Sequence, residues 1–196
     1  MKNKKISIKL NILIILLEII GFSLSLYKYH HIAIEYYTNQ SNLLALFSSI
    51  LFVLFYNKKN TIITDLRFIT TSCLTITFLV VLFILTPMFN FNYKLLMFTD
   101  EFCIFHTITP LVSLYSYLFY EKRSKKNYLG FTYTLLYAFL FIQLNIFRIV
   151  DGPYPFLRIR NQSPLMSLLW FIIIVGGSYL ISISINKIHK IINKRS

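Results

Sequence analysis

Six blocks of apolar residues, each long enough to cross a bilayer, govern what this chain can fold into. They cover roughly 7–27, 39–56, 66–87, 102–120, 128–147 and 165–186. A hydrocarbon core of ~30 Å takes about 20 helical residues to cross. Inside it every backbone amide must be satisfied internally, which blocks of this length achieve as helices. The sequence therefore predicts an all-α polytopic membrane protein, one integral domain over 1–196 folded as a six-helix transmembrane bundle. A composition 56% hydrophobic and 17% aromatic is foreign to ordinary soluble domains of 196 residues. The first block follows Lys2, Lys4, Lys5 and Lys9 and so imitates a signal peptide. It runs too long for one and lacks a small-x-small cleavage site before Lys28, so it reads as a retained span.

A net charge of +13 raises the question of nucleic acid, and its distribution answers it. Fifteen of the 20 Lys and Arg fall before residue 10, within 57–67, within 121–127 or after residue 186. The remaining three loops hold only Lys28, Lys94, Arg148, Arg158 and Arg160. Loops that alternate between rich and poor in positive charge follow the positive-inside rule, which with six spans puts both termini in the cytoplasm. The basicity is spent on orientation and on anionic headgroups, against which the tail from Lys187 is expected to lie as a helical extension. No nucleic-acid partner is expected. Cys73 and Cys103 lie at different depths, beyond disulfide reach, and read as small buried apolar residues. The abundance of Ile, Lys, Asn, Phe and Tyr suggests an A+T-rich, bacterial genome and hence a bacterial plasma membrane.

Polar side chains inside spans are costly in lipid, so they point toward the bundle interior. In the second block Thr38, Ser41, Asn42, Ala45, Ser48 and Ser49 recur at steps of three and four, which makes one helical face. In the fourth, Cys103, His106, Thr107, Pro110, Ser113 and Tyr117 do the same. Gln143 and Asn145 end the fifth block, Glu18 sits in the middle of the first, and Gly176-Gly177-Ser178 with Ser182 suits close packing in the sixth. By this reckoning Thr38, His106 and Gln143 gather near the outer boundary. Pro110 cannot donate to the carbonyl four residues back, so a bend is expected beside His106 with that histidine's own carbonyl freed. Between the fifth and sixth blocks, Asp151-Gly152-Pro153-Tyr154-Pro155-Phe156 reads as a stiff turn.

Each of these features has a plain reading and a chemical one. Thr38 or Asn39, just before an apolar run, is the residue type that caps a helix. The same place suits a nucleophile, because free amides and the positive end of the helix dipole surround it. A histidine within a span is either a structural hydrogen-bonder or a general base. Cys103, one turn before His106, is an alternative nucleophile. Glu18 is either a protonated or hydrogen-bonded carboxyl, or part of an ion or proton pathway. His31 and Glu35 would share a helix face at the rim, yet no further ligand stands at characteristic spacing. No metal site or cofactor is expected, and GxSxG, HExxH and a Gly-rich phosphate loop are all missing.

Three stretches together carry a resemblance: TNQSNLL opening the second block, FHTITPLVSLYSYLF in the fourth with its H-x-x-x-P, and GPYPFL before the sixth. With six spans in order, the chain resembles the small membrane family that includes the androgen-induced and androgen-dependent TFPI-regulating proteins, in particular its bacterial branch. That resemblance implies a membrane-embedded hydrolase cleaving acyl esters such as fatty acid esters of hydroxy fatty acids, with a threonine nucleophile and a histidine. They fall on Thr38 and His106, the residues the depth reckoning also selects. The implied chemistry has His106 taking the Thr38 proton as the oxygen attacks an ester carbonyl, followed by hydrolysis of the acyl-threonine. Amides opening the second span, with Asn39, Asn42 or Gln143, would hold the oxyanion. The expected partners are membrane lipids and an amphipathic acyl-ester substrate, and the oligomeric state is left open. The competing class is a non-enzymatic transporter or lipid-binding scaffold with a polar intramembrane pocket.

Overall fold

A computed structural model describes residues 4–56 and 60–194. Of the basic residues used above to orient the chain, Lys2, Lys58, Lys59 and Arg195 lie outside them. The described residues form helices and connecting loops, with no strand. We name the helices α1 (Lys4–Tyr29), α2 (Tyr37–Leu54), α3 (Thr61–Met88), a short α4 (Tyr93–Phe98), α5 (Asp100–Tyr120), α6 (Leu129–Ile146) and α7 (Pro164–Lys194). Each of the six expected blocks lies on a long helix, and α1, α3, α5, α6 and α7 are long and apolar enough to cross a membrane. The polar opening of α2, YTNQSN, dilutes its apolar character.

The bundle is polar inside and apolar outside. Leu16, Ile19, Leu136, Phe139 and Leu180 are exposed, while among the described residues the buried polar side chains outnumber the buried apolar ones. That inversion suits a lipid exterior, where apolar side chains lose nothing and polar ones must find protein partners. At the centre stands α3. Of its apolar stretch 61% is buried, against 22–44% for the other four. Thr70, Thr71 and Ser72 are consecutive, hence about 100° apart around the axis, and all three are fully buried. Only a helix enclosed on several sides permits that.

Two expectations about packing are corrected. Gly176 and Gly177 have open space around them rather than a close neighbour. The tight contacts are at Gly21, where an added Cβ would meet the Phe105 ring at 2.5 Å, and at Gly130, where it would meet Ser182 Oγ at 2.2 Å and Ser72 Oγ at 2.5 Å. The C-terminal extension is helical, as expected, but it also docks on the bundle. His189 Nε2 lies 3.1 Å from the Glu121 carbonyl and Asn193 donates to the Leu118 carbonyl at 2.9 Å, leaving Lys187, Lys190 and Lys194 outward.

Arg67, counted above among the loop charges, is interior, and so is Glu121. Arg67 and Glu121 form an ion pair of 3.0 Å with both side chains 1% exposed. Ser48, Ser49 and Ser113 accept the remaining guanidinium donors, while Asn11 and Ser116 donate to the carboxylate. This network ties α1, α2, α3 and α5 at the end of the bundle that holds the N-terminus. The opposite end, which we call the loop end, carries the segments between α1 and α2, α3 and α5, and α6 and α7.

Candidate active site

At the loop end the segment between α6 and α7 folds down onto the start of α2. Two 3₁₀ turns, Pro155–Leu157 and Ile159–Asn161, replace any longer helix. Gly152 is required there because a Cβ would meet the Leu157 backbone at 2.5 Å. Asn145 pins the segment through Val150 and Arg160, an assignment the sequence reading missed in favour of Gln143. Tyr154, Phe156 and Leu157 are thereby buried, with Tyr154 and Phe156 stacked at 5.2 Å.

Beneath this roof lies a cavity of ≈ 40 Å³, room for roughly three waters at about 10–15 Å³ each. Its walls come from α2 (Tyr37, Thr38), α3, α6 (Thr134, Tyr137) and α7 (Ile174). Tyrosines supply much of its polarity. Tyr37 bonds Thr134 at 2.7 Å and Tyr137 donates to the Glu35 carbonyl at 2.7 Å. Tyr133 donates to Gln40 at 2.6 Å. The start of α2 is therefore level with the first half of α6, beneath the loop rather than at an open rim.

Thr38 lines this cavity and does not cap its helix. The N-cap position is Tyr36, which makes no side-chain cap bond. Instead the Tyr154 phenol accepts the Thr38 amide at 3.2 Å and shares a hydrogen bond with its hydroxyl at 3.3 Å, so a loop tyrosine satisfies an amide that helix geometry leaves orphaned. Burial pushes the Tyr154 phenol up to about 12, so it stays protonated at neutral pH. Asn39 and Gln40 reach back to the carbonyls of Ala33 (2.8 Å) and Ile34 (2.7 Å). Asn42 donates to the carbonyls of Thr38 (2.8 Å) and Phe105 (3.4 Å), linking the first turn of α2 to α5.

His106 sits in a π-helical turn, Cys103–Ile108. Beside Pro110 the helix register is altered: the Thr109 amide reaches back five residues to Ile104. In that register the absent Pro110 amide would have served Phe105, so the carbonyl that a side chain reaches is Phe105, through Asn42, and not His106 as expected. Thr86-Pro87 repeats the device in α3, where both the Thr86 amide and its hydroxyl serve Val81 after the π turn Val81–Leu85. His106 Nδ1 is hydrogen-bonded to the Leu96 carbonyl and Thr107 donates to Met97 at 2.8 Å, which satisfies two terminal carbonyls of α4. The ring stacks on Phe102 at 5.2 Å and 4°. Of the acids near the loop end, Asp100 pairs with Lys28 at 3.2 Å, Asp151 with Arg160 at 2.8 Å, and the buried Glu101 lies 3.7 Å from Lys28.

Thr38 and His106 thus have separate partners. No hydrogen bond joins their side chains among the described residues, and His106 does not line the tyrosine-rimmed cavity. Gln143 is half-buried near the end of α6, also outside it. Cys103 is half-buried and Cys73 buried, both free thiols. Residues 30–36 are not helical, so His31 and Glu35 share no helix face, and His31 Nδ1 lies 2.8 Å from the Tyr29 carbonyl. No family model, curated protein or solved structure matches the chain.

Proposed function

We propose that this is a six-span membrane-embedded hydrolase of acyl esters, with Thr38 as nucleophile, His106 as base and both termini in the cytoplasm. The observation that carries this reading is the hydrogen bond between His106 Nδ1 and the Leu96 carbonyl. A carbonyl oxygen only accepts, so the nitrogen facing Leu96 is protonated and the neutral ring keeps its lone pair on Nε2. A base with a fixed donor side and an open acceptor side is what attack by a hydroxyl needs. The π turn that holds it, and a second one beside the cavity, are irregularities often found at functional sites. The reaction requires the Thr38 hydroxyl to turn from Tyr154 toward Nε2, and Asn42, which ties Thr38 to Phe105, keeps the two turns adjacent. Remaining first-turn amides, with Asn39 as the nearby side-chain donor, would then hold the oxyanion.

The test is acylation of the detergent-purified protein by a fluorophosphonate lipid. Labelling is expected in the wild type and lost in both Thr38→Ala and His106→Ala, and its persistence in either variant ends the assignment. Cys103→Ser is expected to label normally. The six-span topology is checked separately, by single-cysteine accessibility at residues 58 and 158 in spheroplasts: only the latter should react with an impermeant maleimide.

Two observations favour a non-enzymatic reading: Tyr154 already holds the Thr38 hydroxyl, and the cavity walls are mostly apolar. A scaffold that binds a lipid tail under the loop would show ligand-dependent stabilisation without any labelling.

A further inference from the structure

Among the buried side-chain oxygens without a hydrogen-bond partner are both carboxyl oxygens of Glu18, Oδ1 of Asn42 and Oγ1 of Thr109. All three residues are fully buried, and they occupy one layer. Ile14, Ala45, Leu74 and Val112 pack together as an apolar cluster from α1, α2, α3 and α5. One turn toward the loop end from Ile14 is Glu18, from Ala45 is Asn42, and from Val112 is Thr109. A second apolar cluster, Phe22 with Ile104 and Phe105, lies one further turn out on α1 and α5. The Thr109 hydroxyl lies beside the Glu18 carboxyl without hydrogen-bonding geometry, and the Phe105 ring closes the space over Gly21.

Chemistry fixes which way Asn42 points. Its Nδ2 faces two carbonyls, which accept only from a donor, so Oδ1 turns to the other side. Four oxygens from three helices therefore share a buried layer with no cationic side chain of its own. The ionisable groups on the packed elements are otherwise engaged: His106 on Leu96, Glu101 beside Lys28, Arg67 on Glu121, Tyr117 on Asn186. A lone carboxylate there is strongly disfavoured unless neutralised, and oxygen-only donors select hard cations. One carboxylate balances one monovalent charge, whereas a divalent ion would leave an uncompensated positive charge.

We propose that Glu18, Asn42 and Thr109 form a binding site for one sodium-sized monovalent cation that exchanges with a proton on Glu18. The exchange balances in charge: the protonated carboxyl releases H⁺ as the ion enters, and the layer is neutral in both states. The site shares Asn42 with the Thr38 turn but uses the opposite atom of its amide, and it does not rest on the hydrolase reading.

The experiment is thermal unfolding of the full chain in detergent, in sodium chloride against choline chloride at equal ionic strength. Sodium at ten times its dissociation constant is expected to raise the midpoint by about 3–6 °C. The shift should be larger at mildly alkaline than at mildly acidic pH, since protons compete for the carboxylate. Glu18→Gln mimics the protonated carboxyl and should abolish the shift, Thr109→Val should weaken it, and Thr38→Ala should leave it intact. Should Glu18→Gln fail to fold, proton release on adding sodium to weakly buffered wild type gives the same answer: about one proton per ion bound. An equal shift in choline, a shift that persists in Glu18→Gln, or no sodium-dependent shift or proton release at either pH overturns the proposal in favour of a permanently protonated carboxyl.

Discussion

His106 turns its protonated nitrogen to a backbone carbonyl, and that one contact separates its structural duty from its chemical one. An amide side chain at 106 keeps a donor for Leu96 but supplies no base. His106→Asn is therefore expected to unfold within a few degrees of wild type while fluorophosphonate labelling falls by at least about 10²-fold. His106→Ala should lose labelling and stability together. Tyr154 offers a second residue-scale test. A phenol held near 12 is a hydrogen-bonding group at neutral pH and not a base. Tyr154→Phe leaves the Thr38 amide unsatisfied at a cost of about 1–3 kcal/mol, read as a lower unfolding midpoint, yet it frees the Thr38 hydroxyl. Labelling should persist or quicken, and its loss would make Tyr154, rather than His106, the partner of the nucleophile. Thr38 itself shows where sequence reading stops. Its place before an apolar run predicts a cap, but whether a cap is needed depends on what else reaches the amides, and a tyrosine 116 residues away does.

Among elements, α3 decides the packing. Its TTSCLTIT run carries Ser and Thr on every side, a signal legible in the sequence as a helix surrounded by others, and the one polar span left out of the sequence reading. Glycine was misread for a related reason: composition shows that a helix has small residues but not which neighbour approaches them. Gly130 sits where α3, α6 and α7 meet, whereas Gly176 and Gly177 have open space. Gly130→Ala is expected to cost about 1–3 kcal/mol through overpacking, and Gly177→Ala to be neutral or stabilising by up to about 1 kcal/mol. Unfolding midpoints of the two variants should move in opposite directions or differ clearly. Proline was read as a bend, and what stands beside it is a π turn. The π turn adds one residue to the register, so the carbonyl left over moves from His106 to Phe105, which Asn42 serves.

Across the whole molecule, the end near the N-terminus is locked by charge and the loop end by aromatic packing. Removing one member of the Arg67–Glu121 pair leaves the other buried and uncompensated, so Arg67→Met or Glu121→Gln should each cost about 3–5 kcal/mol. The double variant should cost less than the sum of the two, measured as unfolding midpoints in detergent. Additive losses would mean that the guanidinium and carboxylate act through their separate serine partners instead. Neither residue looks interior in the sequence, since each lies at the end of an apolar block beside other charges.

The sequence by itself determined the membrane helices, their order and the inward direction of their polar faces, because hydropathy and a period of 3.6 residues are local properties of a segment in lipid. Only the tertiary structure decided that Tyr154 holds Thr38, that Leu96 orients His106, and that Arg67 meets Glu121. Those pairings depend on which helix ends arrive at the same depth and which loop folds over them, and residues so far apart in the chain leave no periodic trace of such meetings.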